Sequence, residues 1–264
     1  MFKLQRIGVL LCAALVGFNG LSVFGQAKKI QDPKEIPGLV LWLDAADAKA
    51  VTKDTAGKVS VCIDKSASKT DFKAGEEQPL FSATGINNKP AIVFDGEKTM
   101  FEGPVLKGVA FTVIGVLKPG KLTVAEHTWF TTRVENKAGI ECGVTNGGSP
   151  MIRCYAADNA QFNAVGAAGK LEAPMIATYV VAGKDNSALI TSYNNGQKGG
   201  ENPEAKITAS PATVYIGKIQ GFSGAGQWLG SIGEVLVYNR VLDDAERKQA
   251  EKYLSDKWAV SVTE

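Results

Sequence analysis

The chain has 264 residues, of which 45% are apolar, and its 29 lysines and arginines nearly match its 27 aspartates and glutamates. No cluster of basic residues is interleaved with aromatics, which argues against nucleic acid or an anionic membrane as the partner, because both require a concentrated positive surface. The length is enough for one large β-sandwich with a sizeable core.

The first 27 residues have the parts of a secretory signal peptide. Lys3 and Arg6 precede an apolar run over residues 7–16, and Gly25-Gln26-Ala27 offers small residues for cleavage. The run is shorter than the roughly 20 residues of a membrane span. We therefore expect residues 1–27 to be removed and residues 28–264 to form a single domain. The mature protein would be secreted, periplasmic or at the cell surface, without a membrane span.

The rest of the chain reads mainly as short strands rich in Val, Ile, Thr and aromatic residues. In several of them apolar and polar residues alternate, which is typical of half-buried antiparallel strands. The predicted strands are Leu39–Leu43, Val59–Ile63, Ala91–Phe94, Ala110–Leu117, Thr128–Thr132, Gly139–Val144, Met151–Ala156, Ile176–Val181, Ala188–Tyr193, Thr213–Ile216 and Gly233–Tyr238.

Two glycine-rich stretches mark turns and loops between these strands. Asn195-Gly196 predicts a tight hairpin turn, because a type I′ turn needs positive φ at both central residues. The polar stretch Gly196–Ala205 that begins there reads as a long surface loop, and Gly217–Gly226 reads as a loop between strands.

Three cysteines follow the signal peptide, and export permits disulfides. Cys142 and Cys154 flank a predicted hairpin and can pair across neighbouring strands if their Cα atoms come close enough. Cys62 would then remain a buried thiol.

One helix is predicted near the C-terminus. Asp243 is a natural N-cap, and Glu246 three residues later completes a variant of the capping box. Ala250, Tyr253, Leu254 and Trp258 recur at helical spacing, which predicts a helix packed on a sheet.

Two groups of segments resemble a known family. The first group comprises Pro37–Asp47, Asp64-Lys65-Ser66 and Asn88–Gly96, and the second comprises Gly230–Arg240, Asp243–Glu246 and Tyr253-Leu254. Together they are similar to the laminin-G-like domains of the concanavalin A-like lectin/glucanase superfamily in bacterial secreted and surface proteins.

The resemblance implies an all-β fold, an antiparallel two-sheet jelly-roll sandwich with one C-terminal helix, whose terminal strands meet. It also implies that calcium can bind, because some relatives hold it with aspartates and backbone carbonyls. Asp64 and Asp95, each at the end of a strand, are the candidate metal ligands, although no dense run of oxygen ligands accompanies them.

Catalytic patterns are largely absent, so no catalytic residue is predicted. The single histidine, His127, could act as the base of a catalytic triad only beside a nucleophilic serine, and no serine lies in a Gly-x-Ser-x-Gly elbow. Jelly-roll glycoside hydrolases need two carboxylates at a set separation. Glu126, Glu135, Glu141 and Glu234 are isolated in sequence, with no carboxylate two positions away.

A binding surface for sugars combines flat aromatic rings with polar side chains. Trp129, Tyr155, Tyr193 and Asn194 are the candidate ligand-binding residues. The favoured hypothesis is a non-catalytic extracellular module that binds a glycan or a protein surface. A jelly-roll glycoside hydrolase and a structural cell-envelope component are the alternatives.

Overall fold

A computed structural model of the chain describes residues 29–208 and 212–263. The predicted signal peptide, residues 1–27, lies outside this part. Within the described ranges, no helix combines the length and the apolar character needed to cross a membrane.

The described residues form two antiparallel sheets and one α-helix, which confirms the predicted fold class. A 3₁₀ turn at Pro33–Glu35 precedes the first strand. The eight strands of sheet A are β1 (Leu39–Asp44), β5 (Leu80–Ile86), β6 (Lys89–Asp95), β8 (Ala110–Pro119), β13 (Met175–Lys184), β14 (Ser187–Asn194), β15 (Gln197–Lys206) and β17 (Leu229–Tyr238). The nine strands of sheet B are β2 (Val51–Lys53), β3 (Val59–Cys62), β4 (Phe72–Ala74), β7 (Phe101–Leu106), β9 (Glu126–Thr131), β10 (Gly139–Thr145), β11 (Pro150–Tyr155), β12 (Gln161–Val165) and β16 (Ala212–Ile216). The helix, α1, spans Asp244–Trp258.

The first and last strands pair, as the family resemblance implies. β1 runs antiparallel to β17, with Leu41 opposite Val237 and Asp44 opposite Glu234. Sheet A follows the order β15-β14-β13-β8-β17-β6-β5, and sheet B follows β12-β11-β10-β9-β16-β7-β4-β3-β2.

Sheet A is covered on both faces, and the outer face of sheet B is exposed toward its edges and buried at its middle strands. The main core fills the space between the sheets and contains Phe94, Trp129 and Trp228. A second core, which contains Trp42 and Trp258, lies between sheet A, α1 and the N-terminal segment. Because β8 and β17 are buried on both faces, they are nearly continuous apolar runs. On the outer face of sheet B, Thr131, Glu141 and Met151 of the middle strands are also buried, at 0%, 2% and 1% exposure.

The stretch 196–205 is a strand, not the surface loop that its composition predicts. Asn195 and Gly196 have φ of 50° and 79°, which are the values of the predicted tight turn. β15 then returns along β14 with Tyr193 opposite Lys198. As an edge strand it is largely exposed, so it carries polar residues and glycines instead of an apolar pattern.

The capping residues of α1 lie where the sequence predicts them. The Asp243 side chain accepts a hydrogen bond from the Glu246 backbone N–H at 2.8 Å, and the Glu246 carboxylate accepts one from the Asp243 N–H at 3.1 Å. Ala250, Leu254 and Trp258 are fully buried against sheet A, which confirms the predicted packing face.

Candidate functional site

A continuous row of mostly polar side chains crosses the outer face of sheet B. Side chains of directly paired residues lie on the same face of a sheet. The pairing register joins one residue from each of seven neighbouring strands. In spatial order the row is Lys73, Glu102, Tyr215, Thr131, Glu141, Arg153 and Asn163. We call these seven residues the polar row.

Arg153 organises one end of this row. Its guanidinium forms a salt bridge with Glu126, lies 3.7 Å from Glu141 Oε2, and donates from Nε to Asn163 Oδ1 at 2.8 Å. A further N–H contacts the Tyr155 hydroxyl at 3.2 Å. The Arg153 side chain keeps 12% of its surface exposed and that of Glu126 keeps 31%. The cluster is therefore held rigidly and still faces solvent.

Arg133 completes the cluster from the loop after β9. It forms a salt bridge with Glu141 Oε1 at 2.8 Å, and its guanidinium stacks on the Tyr155 ring at 3.7 Å. Burial raises the pKa of Glu141, and the positive charges of Arg133 and Arg153 oppose that rise. Two arginines thus neutralise a buried carboxylate, and the more exposed members of the cluster are Glu126 and Asn163, while Arg133 and Arg153 each keep 12% of their side-chain surface exposed.

The three aromatic residues predicted to bind a ligand all pack against other groups of the protein. Trp129 is fully buried between the sheets and donates to the Tyr179 hydroxyl at 3.2 Å. Tyr155 lies on the correct face, but Arg133 covers its ring. Tyr193 lies on sheet A, with the Arg247 guanidinium 4.2 Å above its ring. The groups that pack on these rings lie on other elements of the fold, so the sequence alone does not show the contacts.

Asn194, the fourth predicted ligand-binding residue, is 5% exposed. It ends β14 beside a cavity, and its side-chain amide donates to the backbone carbonyl of Ala168 at 2.8 Å. Its neighbours in the lining include Ala168, Pro174 and Asn195.

The two aspartates predicted as calcium ligands accept hydrogen bonds from backbone N–H groups. The Asp64 carboxylate is buried and accepts hydrogen bonds from the backbone N–H groups of Trp42 and Ser66 at 2.9 and 2.8 Å. Asp95 Oδ1 accepts from three backbone N–H groups of the following loop, at residues 97–99. Among the described residues, no group of three or more His, Cys, Asp or Glu side chains is placed to hold a metal ion.

The predicted disulfide is absent from the structure, in which Cys62, Cys142 and Cys154 are buried free thiols. Cys142 lies opposite Ile152, and Cys154 lies opposite Ile140, so the two sulfurs belong to diagonal positions of the β10–β11 pair. Diagonal residues are about 7–8 Å apart, beyond the usual range for a disulfide. Burial raises the pKa of the Cys154 thiol to about 12.

Sequence reasoning missed Arg153 and Asn163 at one end of the polar row, and Arg133, which contacts that end from the loop after β9. The signal for Arg153 was present, since Met151, Arg153 and Tyr155 alternate on one face of a predicted strand. Its partners Glu126, Glu141 and Asn163 come from β9, β10 and β12. Which residues of these strands lie side by side depends on the pairing register, which the amino-acid composition does not specify.

Comparison with solved structures reveals several similar jelly-roll domains. The receptor binding domain of botulinum neurotoxin type G is 12% identical with a TM-score of 0.59, over 81% of this chain and 51% of that chain. Domain 4 of AbnA, a GH43 extracellular arabinanase from Geobacillus stearothermophilus solved with arabinotriose, is 13% identical with a TM-score of 0.58, over 81% of this chain and 97% of that chain. The protein thus spans about half the length of the toxin domain and matches the arabinanase domain nearly end to end.

Comparison with protein sequences gives the family. No curated protein matches the chain significantly. A family model described as the concanavalin A-like lectin/glucanases superfamily matches residues 95–246, which include β7 to β17 and the first turn of α1. This match extends over more than half of the sequence and agrees with the two-sheet sandwich, and the protein therefore belongs to the concanavalin A-like lectin/glucanases superfamily.

Proposed function

We propose that the protein is a non-catalytic extracellular module that binds glycans through the outer face of sheet B. The observation that carries the proposal is the cluster around Arg153, which presents a guanidinium, a carboxylate and an amide side by side. Sugar hydroxyls both donate and accept hydrogen bonds, and this set offers partners for both roles. The internal contacts hold these groups in place before a ligand arrives, which lowers the entropy lost on binding.

The neighbouring edge strand adds an apolar contact beside these polar groups. Val165 lies on β12 two residues from Asn163, so both side chains lie on the outer face, and Val165 is 44% exposed. Sugar rings have apolar C–H faces that pack on such side chains. Among the similar structures, domain 4 of the arabinanase was solved in complex with arabinotriose, which supports carbohydrate as the class of ligand for this fold.

The hydrolase alternative is less well supported by the same geometry. Glu126 and Glu141 both contact Arg153, and Glu141 has a raised pKa, as a general acid requires. A glycosidase, however, places its scissile bond between the two carboxylates. Arg153 lies between Glu126 and Glu141, and Glu141 is buried against Arg133. We therefore propose binding without hydrolysis.

A glycan array tests the proposed function. The protein is expected to bind at least one polysaccharide without releasing reducing sugar. Arg153→Ala should weaken that binding at least about tenfold, or roughly 1.4 kcal/mol, because it removes the donor and releases its neighbours. Asn163→Ala, an exposed change at the end of the polar row, should weaken binding without affecting folding.

Lys206→Ala is the matched control, since it also removes one positive charge, but from the exposed edge of sheet A. Its binding should equal that of the unmodified protein. An array without any bound glycan, or equal binding by the Arg153→Ala and Lys206→Ala variants, would contradict the proposal. Release of reducing sugar from a bound polysaccharide would favour the hydrolase instead.

A further inference from the structure

A glycine-rich loop, residues 218–227, connects β16 to β17 and closes on itself. Its ends meet, because the Trp228 N–H donates to Gly217 O at 2.8 Å. The Gln227 side chain then ties the end of the loop to its start, since Oε1 accepts from the Ile219 N–H at 2.9 Å. Gln227 is 2% exposed, so water does not compete for this bond. Compact surface loops with close ends are frequently functional.

Phe222 is the one aromatic residue of this loop and lies in its middle. Its side chain is partly exposed, and the neighbouring Gly221, Ser223 and Gly224 are exposed. A Cβ on Gly224 would lie 2.5 Å from Phe222 Cζ, so the loop backbone packs directly on the ring. Gln227 Nε2 donates to Gly224 O at 3.2 Å, which fixes this backbone segment. The ring is therefore held in place, and its small neighbours leave it accessible to a ligand.

The second arm of the loop borders the cluster around Arg153. The Thr128 N–H donates to Gly226 O at 2.8 Å, so this arm runs beside the start of β9. A Cβ on Gly226 would lie 3.1 Å from Glu126 O, and the φ of Gly226 is 105°, a value that favours glycine. The Glu126 carboxylate forms the salt bridge with Arg153. The loop thus contacts a residue that supplies a hydrogen-bonding group to the proposed glycan site.

The first arm of the loop contacts another segment that contributes to the same cluster. The Glu135 N–H donates to Gln220 O at 2.9 Å, and Glu135 lies two residues after Arg133. Phe222 follows Gln220 by two residues, so it lies between the two arms that touch the cluster. Because Arg133 covers the ring of Tyr155, the loop supplies the partly exposed ring that the polar row lacks.

We propose that Phe222 is the aromatic contact of the glycan site and packs on the C–H face of a sugar ring whose hydroxyls bind Arg153, Glu126 and Asn163. This inference rests on the proposed function and specifies its ligand as a pyranose unit with a flat C–H face. The cluster contains two guanidinium groups and two carboxylates, so its charges balance and favour an uncharged glycan. The fixed loop lowers the entropy lost when the sugar binds.

Calorimetric titration with cellotetraose, xylotetraose and β-1,4-galactotetraose tests this contact. At least one of these neutral oligosaccharides should bind the unmodified protein, and Phe222→Ala should weaken that binding at least about fivefold. Phe222→Tyr keeps the flat ring and should bind within about twofold of the unmodified protein. Gly224→Ala keeps Phe222 but adds a Cβ that displaces the ring, so it should also weaken binding.

Phe81→Ala is the matched control, because Phe81 is also partly exposed but lies on β5 of sheet A. It should bind the oligosaccharide as the unmodified protein does. Equal binding by Phe222→Ala and the unmodified protein, or binding by Phe222→Tyr as weak as that of Phe222→Ala, would overturn the proposal.

Two outcomes separate this inference from the proposed function. Loss of binding in Arg153→Ala but not in Phe222→Ala would remove only the role of Phe222. If none of the three oligosaccharides binds while the array shows a bound polysaccharide, the flat pyranose class is wrong and the proposed function stands. An array without any bound glycan would remove both.

Discussion

Replacing Glu234 by alanine is expected to lower the free energy of unfolding by about 2–5 kcal/mol, because it leaves the buried indole N–H groups of Trp42 and Trp258 without an acceptor, at about 1–3 kcal/mol each. Glu234 is 1% exposed in β17. Its carboxylate accepts hydrogen bonds from the indole N–H groups of Trp42 and Trp258, each at 2.7 Å, and pairs with Lys257 Nζ at 2.7 Å. One side chain therefore joins β1, β17 and α1.

Electrostatics around Glu234 explain why a neutral replacement is also expected to be costly. Burial and the charge of Asp44 raise the pKa of Glu234, and the Lys257 ammonium opposes that rise. In Glu234→Gln the side-chain amide would place N–H groups toward an indole N–H and toward Lys257. We expect this variant to lose less stability than the alanine variant, since one acceptor remains.

Urea unfolding measures both changes, with Glu204→Ala as the control. Glu204 is an exposed glutamate on the edge strand β15, and its removal should change the free energy of unfolding by less than about 0.5 kcal/mol. A loss below about 1 kcal/mol in Glu234→Ala would show that the contacts of this carboxylate do not hold the helix to the sheet.

Trp129→Ala is expected to destabilise the protein by about 3–5 kcal/mol through loss of packing in the main core. Trp129 is fully buried in β9, and a Cβ on Gly115 of the facing sheet would lie 2.7 Å from its ring. Glycine at position 115 thus makes room for the indole. Its N–H contacts Tyr179, whose hydroxyl donates to Gly143 O at 2.7 Å, so the ring links both sheets.

A second substitution at position 129, by phenylalanine, distinguishes a core role from a role in ligand binding. Trp129→Phe keeps most of the volume, so it should retain glycan binding while losing part of the stability measured by urea unfolding. Leu189→Ala is the control for the loss of a large apolar side chain. Leu189 is 38% exposed on sheet A, so its replacement should change the free energy of unfolding by less than about 0.5 kcal/mol. Full stability with selective loss of glycan binding in Trp129→Phe would contradict the core role.

The fold was predictable because local patterns and tertiary structure agree along most of the chain. Asp243 and Glu246 predict the start of α1, and the spacing of its apolar residues predicts the face that packs on sheet A. The strands that were missed are short or polar, such as Val51–Lys53 and Gln197–Lys206. These two lie at sheet edges and bury too few side chains to leave an alternating apolar pattern.

The candidate site was less predictable, because it depends on the register of separate hairpins. Arg153 follows from alternation within one strand, but its contacts with Glu126, Glu141 and Asn163 require three further strands to align. Trp129 illustrates the opposite error. An aromatic residue near a strand start resembles a ligand-binding residue in sequence, and only the glycine on the facing sheet reveals its place in the core.

Hydrogen exchange of the protein with and without its tightest glycan from the array tests the central claim most directly. Bound glycan is expected to slow exchange of backbone amides in β10, β11 and β12, where Glu141, Arg153 and Asn163 lie, and to leave α1 and its contacts on sheet A unchanged. Protection confined to sheet A or α1, with exchange in β10 to β12 unaltered, would contradict binding at the outer face of sheet B.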